Sequence, residues 1–119
     1  MKKTVVICDD DEEILQVCSL ILKKRNYDVF TFTNCESVFP YLEKNKPDVI
    51  LMDLWIPEMG GENCTIKLKN DAKTKNIPVI LFSAHNELEK VSEKVKAEGF
   101  LKKPFEIAQL VDVITKNSN

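Results

Sequence analysis

Short apolar runs punctuate the chain, and each is followed by a stretch whose apolar residues recur at helical spacing. The central run, Val49-Ile50-Leu51-Met52, lies between Pro47 and Pro57 and ends on Asp53. An unbroken apolar run of this length reads as a strand buried on both faces, as in a parallel sheet covered by helices. Thr4 to Cys8, Val29-Phe30 with Phe32, Pro78 to Ser83 and Gly99 to Lys102 read as the other strands. Between them, Ile14, Val17, Cys18 and Ile21 mark a first helix. It ends near Lys23-Lys24-Arg25, whose charge suits a carboxyl terminus, and Asn26 supplies a stop. A second helix starts near Ser37 with Val38, Tyr41 and Leu42 as its apolar positions. Pro40 is tolerated in a first turn but costs about 3 kcal/mol in the interior, so the helix is expected to begin at Ser37 or to be irregular. The third helix is predicted over about Glu62 to Asp71. The fourth, over roughly Asn86 to Glu98, has only Leu88, Val91 and Val95 to anchor it and is predicted to be the least firmly held. Ile107, Leu110, Val111 and Ile114 give the fifth helix the clearest i, i+3, i+4, i+7 series in the chain.

Strand followed by helix, repeated along the chain, gives by the right-handed crossover rule an α/β fold with a parallel sheet and helices on both faces. The expected architecture is a five-stranded, doubly wound, flavodoxin-like three-layer α/β/α domain with strand order 2-1-3-4-5. That order gathers Asp9 and Asp10, Asp53, Ser83 and Lys103 around one crevice at the carboxyl ends of the strands. A lone aspartate at a strand end is most often a solvated turn residue, and it is the company of the others that changes the reading. In the acidic run Asp9 to Glu13, the last three residues are accounted for by a helix amino terminus. Asp9 and Asp10 are not, because they would repel Asp53 unless a hard divalent cation lay among them. Strand alternation turns Lys102 away from Lys103, which directly precedes Pro104.

Composition narrows the possibilities. A chain of 119 residues with 44% hydrophobic content reads as one domain spanning residues 1–119. A net charge of -2, with both signs interspersed, provides neither a basic stripe for nucleic acid nor a polybasic membrane patch. No apolar run approaches the ~20 residues of a membrane span, and the first strand follows Met1 too closely for a signal peptide, so a cytoplasmic location is expected. Cys8, Cys18, Cys35 and Cys64 are widely spaced with no C-x-x-C pair, which predicts reduced, buried thiols and neither a zinc site nor a redox dithiol.

The sequence resembles the receiver domains of two-component response regulators over essentially its whole length, in particular the single-domain, chemotaxis-regulator-like members. The resemblance is carried by Val-Val-Ile-Cys-Asp9-Asp10-Asp11, by Asp53-Leu-Trp-Ile-Pro57-Glu-Met59-Gly-Gly61, by Leu-Phe-Ser83-Ala84, and by Gly99-Phe100-Leu-Lys-Lys103-Pro104-Phe105. It implies a phosphorylation-dependent signalling switch in a phosphorelay, and not an enzyme beyond assisting its own phosphoryl transfer and slow autodephosphorylation. It also implies a role for each site residue. Asp53 accepts a phosphoryl group from a sensor histidine kinase or a histidine phosphotransfer protein. Asp9, Asp10, Asp53 and the backbone carbonyl of Trp55 hold Mg2+, and Lys103 and Ser83 contact the phosphoryl oxygens. Ser83 and Phe100 form the switch, and the fourth helix, fifth strand and fifth helix meet an unknown downstream protein target.

Departures from the family pattern sharpen the expectations. Ser83 stands where threonine is common and lacks the methyl group that restricts the rotamer. Trp55 occupies a position often small or polar, and His85, two residues after Ser83, reads as a loop residue at the mouth of the site. The chain ends at its fifth helix, so it is expected to act without an attached output module. Other classes fit less well. A constitutive interaction module would have no need of the intact Asp10, Asp53, Ser83 and Lys103 set. A magnesium-dependent phosphohydrolase wants its nucleophile in an Asp-x-Asp pattern on the first strand. A flavin carrier wants a Ser/Thr/Gly-rich phosphate loop where this chain has Asp9 to Glu13.

Overall fold

The computed structural model describes residues 2–56 and 59–118. Its elements alternate as β1 (Lys3–Cys8), α1 (Glu12–Lys24), β2 (Tyr27–Phe32), α2 (Val38–Lys44), β3 (Val49–Asp53), α3 (Gly60–Lys69), β4 (Val79–Ser83), α4 (Leu88–Lys94), β5 (Gly99–Lys102) and α5 (Ile107–Asn117). The strands are all parallel and hydrogen-bonded in the order β2-β1-β3-β4-β5. This is the doubly wound, flavodoxin-like three-layer arrangement expected from the apolar runs.

The runs are unbroken because alternate residues serve two different cores. Val6, Cys8, Ile50, Met52 and Leu81 face the layer of α2, α3 and α4, whereas Val5, Ile7, Val49, Leu51, Ile80 and Phe82 face α1 and α5. Every residue of β3 and β4 is buried. Among the described residues no helix is long and apolar enough to cross a membrane.

Several details differ from the sequence pattern. The buried stripe of α1 is Leu15, Cys18 and Leu22, while Val17 is 55% exposed; the stripe is rotated by one residue because the helix must sit over β1 and β2. Its capping follows the acidic run: Asp11 Oδ1 accepts the amide hydrogens of Glu13 at 3.0 Å and Ile14 at 3.4 Å. Asn26 ends the connection in the left-handed region at φ 74°. Helix α3 starts earlier than expected, at Gly60, because Gly61 packs directly on the end of β3. A Cβ at Gly61 would overlap the Asp53 carbonyl oxygen and lie 2.8 Å from Leu54 Cα. Helix α4 is only seven residues long. Lys96, at φ 62°, turns the chain out of it, and Ala97 N–H donates to Ser92 O. In α5, Ile107 is 56% exposed, so Leu110 and Ile114 alone form the fully buried stripe.

One expectation fails. Cys35 and Cys64 are joined by a disulfide across 29 residues, with Cα atoms 6.2 Å apart, so only Cys8 and Cys18 are free thiols. Their spacing in the chain was uninformative because it is the crossover through β3 that lays α3 beside the β2–α2 connection. All four cysteines are buried. Burial, reinforced by nearby carboxylates of which Asp9 is foremost, pushes the Cys8 thiol up to about 12. Burial likewise pushes Cys18 to about 11, and both stay protonated and unreactive.

Candidate functional site

The site is assembled by strand register. Cys8 of β1 pairs with Met52 of β3, so the next residues, Asp9 and Asp53, leave neighbouring strands side by side. Asp9 is 1% exposed, and each of its carboxylate oxygens accepts one hydrogen bond while keeping a further lone pair. Its Oδ1 accepts the Asp11 N–H at 2.8 Å, its Oδ2 accepts from Lys103 Nζ at 2.9 Å, and its own N–H donates to Phe32 O at 3.0 Å. Asp53, 5% exposed, has the same ammonium at 3.6 Å from Oδ1. Burial raises its carboxyl from an ordinary 3.8 to about 6, and the neighbouring Asp9 charge adds to the rise. Lys103 and a backbone hydrogen bond from Trp55 oppose it.

Asp10 is exposed at the rim, and carboxylate oxygens of Asp9, Asp10 and Asp53 lie within 4.8 Å of one another. Three hard oxygen donors converging on one point, two of them on buried carboxylates, fit a hard divalent cation. Mutual repulsion among these charges is the penalty such an ion would relieve.

Ser83 closes β4 with its side chain 1% exposed, and its Oγ accepts the His85 N–H at 3.1 Å. Its carbonyl accepts the Lys103 N–H at 2.9 Å, which ties the ends of β4 and β5 together. Lys103 follows β5; its ammonium also sits 4.4 Å from the Phe82 ring centroid, and the Lys103–Pro104 peptide bond is cis. Lys102 points to solvent. Phe100, opposite Leu81 in the β4–β5 register, is 42% exposed.

The loop after Asp53 is split in character. Leu54 and Ile56 are buried, whereas the Trp55 indole is 63% exposed and meets the His85 ring edge-on at 5.2 Å. His85 Nδ1 accepts the Glu87 N–H at 3.0 Å, which fixes the ring against the loop. Trp55, His85, Leu54, Met59, Glu62 and Val91 line a cavity of about 400 Å³ between this loop and α4. Pro57 and Glu58 lie outside the described residues. Sequence reasoning missed the Trp55–His85 contact and the Asp9–Lys103 ion pair, neither of which has a local signature. It also missed the role of Gly61, for which the Gly60-Gly61 pair was an available signal.

Acidic residues and a lysine thus gather at the strand ends of a 2-1-3-4-5 sheet. Residues 5–115 match the family described as the response regulator receiver domain. The chain is 30% identical over 111 residues to the phosphate regulon transcriptional regulatory protein PhoB of Pseudomonas aeruginosa, covering 92% of this chain and 48% of that protein. It therefore spans about half the length of that relative. It is 29% identical over 118 residues to sporulation initiation phosphotransferase F of Bacillus subtilis, covering 98% of this chain and 94% of that one. The solved structure of the chemotaxis response regulator CheY4 of Vibrio cholerae superposes with a TM-score of 0.90 at 25% identity, over 98% of both chains. The chain belongs to the response regulator receiver domain family, whose members are phosphorylation-dependent switches of two-component signalling.

Proposed function

We propose that Asp53 is the phosphoacceptor and that the donor is a phosphohistidine of a sensor histidine kinase or histidine phosphotransfer protein. A carboxylate oxygen of Asp53 forms the new bond to phosphorus as the phosphorus–nitrogen bond to the donor imidazole breaks, and the imidazole leaves with the electron pair. The observation that carries this reading is the pairing of a buried, poorly compensated Asp53 with a lysine 3.6 Å away and two further carboxylates. The transferred group carries charge on three equatorial oxygens, and positioned positive charge is the main aid a protein can give it.

Lys103 and the Ser83 hydroxyl are the groups available to those oxygens. Asp9, Asp10 and Asp53, with the Trp55 carbonyl, would hold Mg2+, which would offset the charge of both the nucleophile and the phosphoryl group. Slow autodephosphorylation, the hydrolysis of the acyl phosphate, needs water to reach the same phosphorus, and the exposed Trp55, two residues beyond Asp53 and in contact with His85, is the bulky group nearest in the chain to restrict it. A cytoplasmic location and an unidentified protein target met by α4, β5 and α5 complete the reading.

The test is incubation with acetyl phosphate, followed by intact mass and peptide mapping. A gain of one phosphoryl group on the peptide containing Asp53, dependent on magnesium and absent in Asp53→Asn, is expected. Undiminished phosphorylation of Asp53→Asn would overturn the assignment.

A further inference from the structure

The Cys35–Cys64 bond joins the β2–α2 connection to α3, two segments that are each tied to the end of a strand carrying a site carboxylate. Cys35 lies three residues beyond Phe32, whose carbonyl accepts the Asp9 N–H. Cys64 lies one helical turn beyond Gly61, whose N–H donates to Leu54 O at 3.0 Å and whose Cα leaves no room for a side chain against Asp53. Thr65 Oγ1 donates to Gly61 O at 2.8 Å and stiffens the same turn, and Met59 Sδ rests 3.6 Å from Cys35 Sγ. A crosslink between these anchors fixes the first turn of α3 relative to both Asp9 and Asp53.

We infer that Cys35 and Cys64 form a reversible thiol–disulfide latch, which holds the amino-terminal turn of α3 against the end of β3 when closed and loosens it when open. The consequence for phosphorylation rate rests on the reading of Asp53 as the acceptor. Closing the latch takes two electrons and two protons from the paired thiols and passes them to a small disulfide oxidant, which leaves as two thiols. Opening runs the other way: a thiolate of a dithiol reductant attacks one sulfur, the Cys35–Cys64 bond breaks, and the reductant leaves as its own cyclic disulfide.

Two features favour a latch over a permanent staple. In the cytoplasm, where we place this protein, thiol systems keep most cysteines reduced, and the disulfides that form there are mainly transient or redox-sensing. Both sulfurs are fully buried, so exchange needs a local opening, and α2, whose Val38 and Leu42 share a core cluster with Cys35, is suited to it. Helix α2 has seven residues, includes Pro40 and lacks a side-chain cap at Ser37.

The test equilibrates the purified protein in buffers of oxidised and reduced dithiothreitol, with three readings on each sample. Alkylation followed by mass spectrometry gives the fraction bonded; amide exchange gives the mobility of residues 53–66; acetyl phosphate with magnesium gives the phosphorylation rate. The expected result is a reversible Cys35–Cys64 bond, with faster exchange over residues 53–66 and phosphorylation slower by about fivefold or more in the reduced form. Cys35→Ala with Cys64→Ala should behave as the reduced protein and ignore the buffer. Failure of the bond to form in oxidised buffer would overturn the latch, as would identical exchange in the two forms. If bond and exchange respond while neither form is phosphorylated, the latch stands and it is the acceptor assignment that fails.

Discussion

Asp9 and Asp53 leave adjacent strands at the same height and are both buried, yet the fold compensates them unequally. Asp9 has the Lys103 ammonium at 2.9 Å on one oxygen and a backbone N–H at 2.8 Å on the other. Asp53 has the ammonium only at 3.6 Å, and its carboxyl is raised to about 6, first by burial and then by Asp9 itself. The first is an anchor whose charge is already engaged. The second has only the more distant ammonium and a backbone hydrogen bond from Trp55, which leaves it the less compensated of the two and the better candidate for the role proposed above.

That contrast can be broken in several ways. The largest effect is kinetic. Asp53→Asn should remove phosphorylation altogether, whereas Asp9→Asn should leave Asp53 reactive but slow it on the order of tenfold at subsaturating magnesium, recoverable by adding more. Equal loss in both variants, by intact mass, would mean that the two carboxylates are not distinct in role.

The next effect is on stability, with opposite signs. A carboxyl raised from 3.8 to about 6 on folding favours the folded state most below the unfolded value, and that stability is lost as pH rises through the folded value. Without metal, stability should therefore fall between about pH 4 and 6. Asp53→Asn should abolish that fall and gain roughly 1–2 kcal/mol at neutral pH. Asp9→Asn should cost roughly 2 kcal/mol, because the Asn carbonyl oxygen can keep the Asp11 N–H but the half-buried Lys103 ammonium loses its charged partner. Urea titrations of both variants across this range decide it.

The smallest effect is spectroscopic. Trp55, the only tryptophan, follows Asp53 by two residues and touches His85. Its emission should shift on adding magnesium and again on adding beryllofluoride, while Asp53→Asn should lose the second shift. An unchanged spectrum in protein shown by calorimetry to bind metal would separate the indole from the site.

Much of this was legible in the sequence. The inner strands β1, β3 and β4 were read from unbroken apolar runs because both faces of the sheet are covered there, and the gathering of Asp9, Asp53, Ser83 and Lys103 at one end of the sheet followed from the strand order. What escaped had no local signature. The phase of α1 depends on which residues meet β1 and β2, so Val17 looked buried and is not. The length of α4 is set by Lys96 turning left-handed ahead of Glu98, whose carboxylate accepts from Val79 N–H at 2.8 Å and from Lys69. The Cys35–Cys64 bond was invisible because crossovers, not spacing, bring those residues together.

The central claim is that occupying Asp53 is felt through Ser83 on the α4 side of the sheet. On this proposal the Ser83 hydroxyl would be drawn toward a phosphoryl group and would free space beside β4 for the half-exposed Phe100 ring, and the short α4, which has no side-chain cap at its amino end, would be the element most free to follow. Amide hydrogen exchange with and without beryllofluoride and magnesium measures this directly. The account predicts changed protection across residues 84–105, weakened in Ser83→Ala although that variant still becomes phosphorylated. Changes confined to residues 9–12 and 54–61 would contradict it, showing an occupied site with no coupling to the α4 and β5 surface.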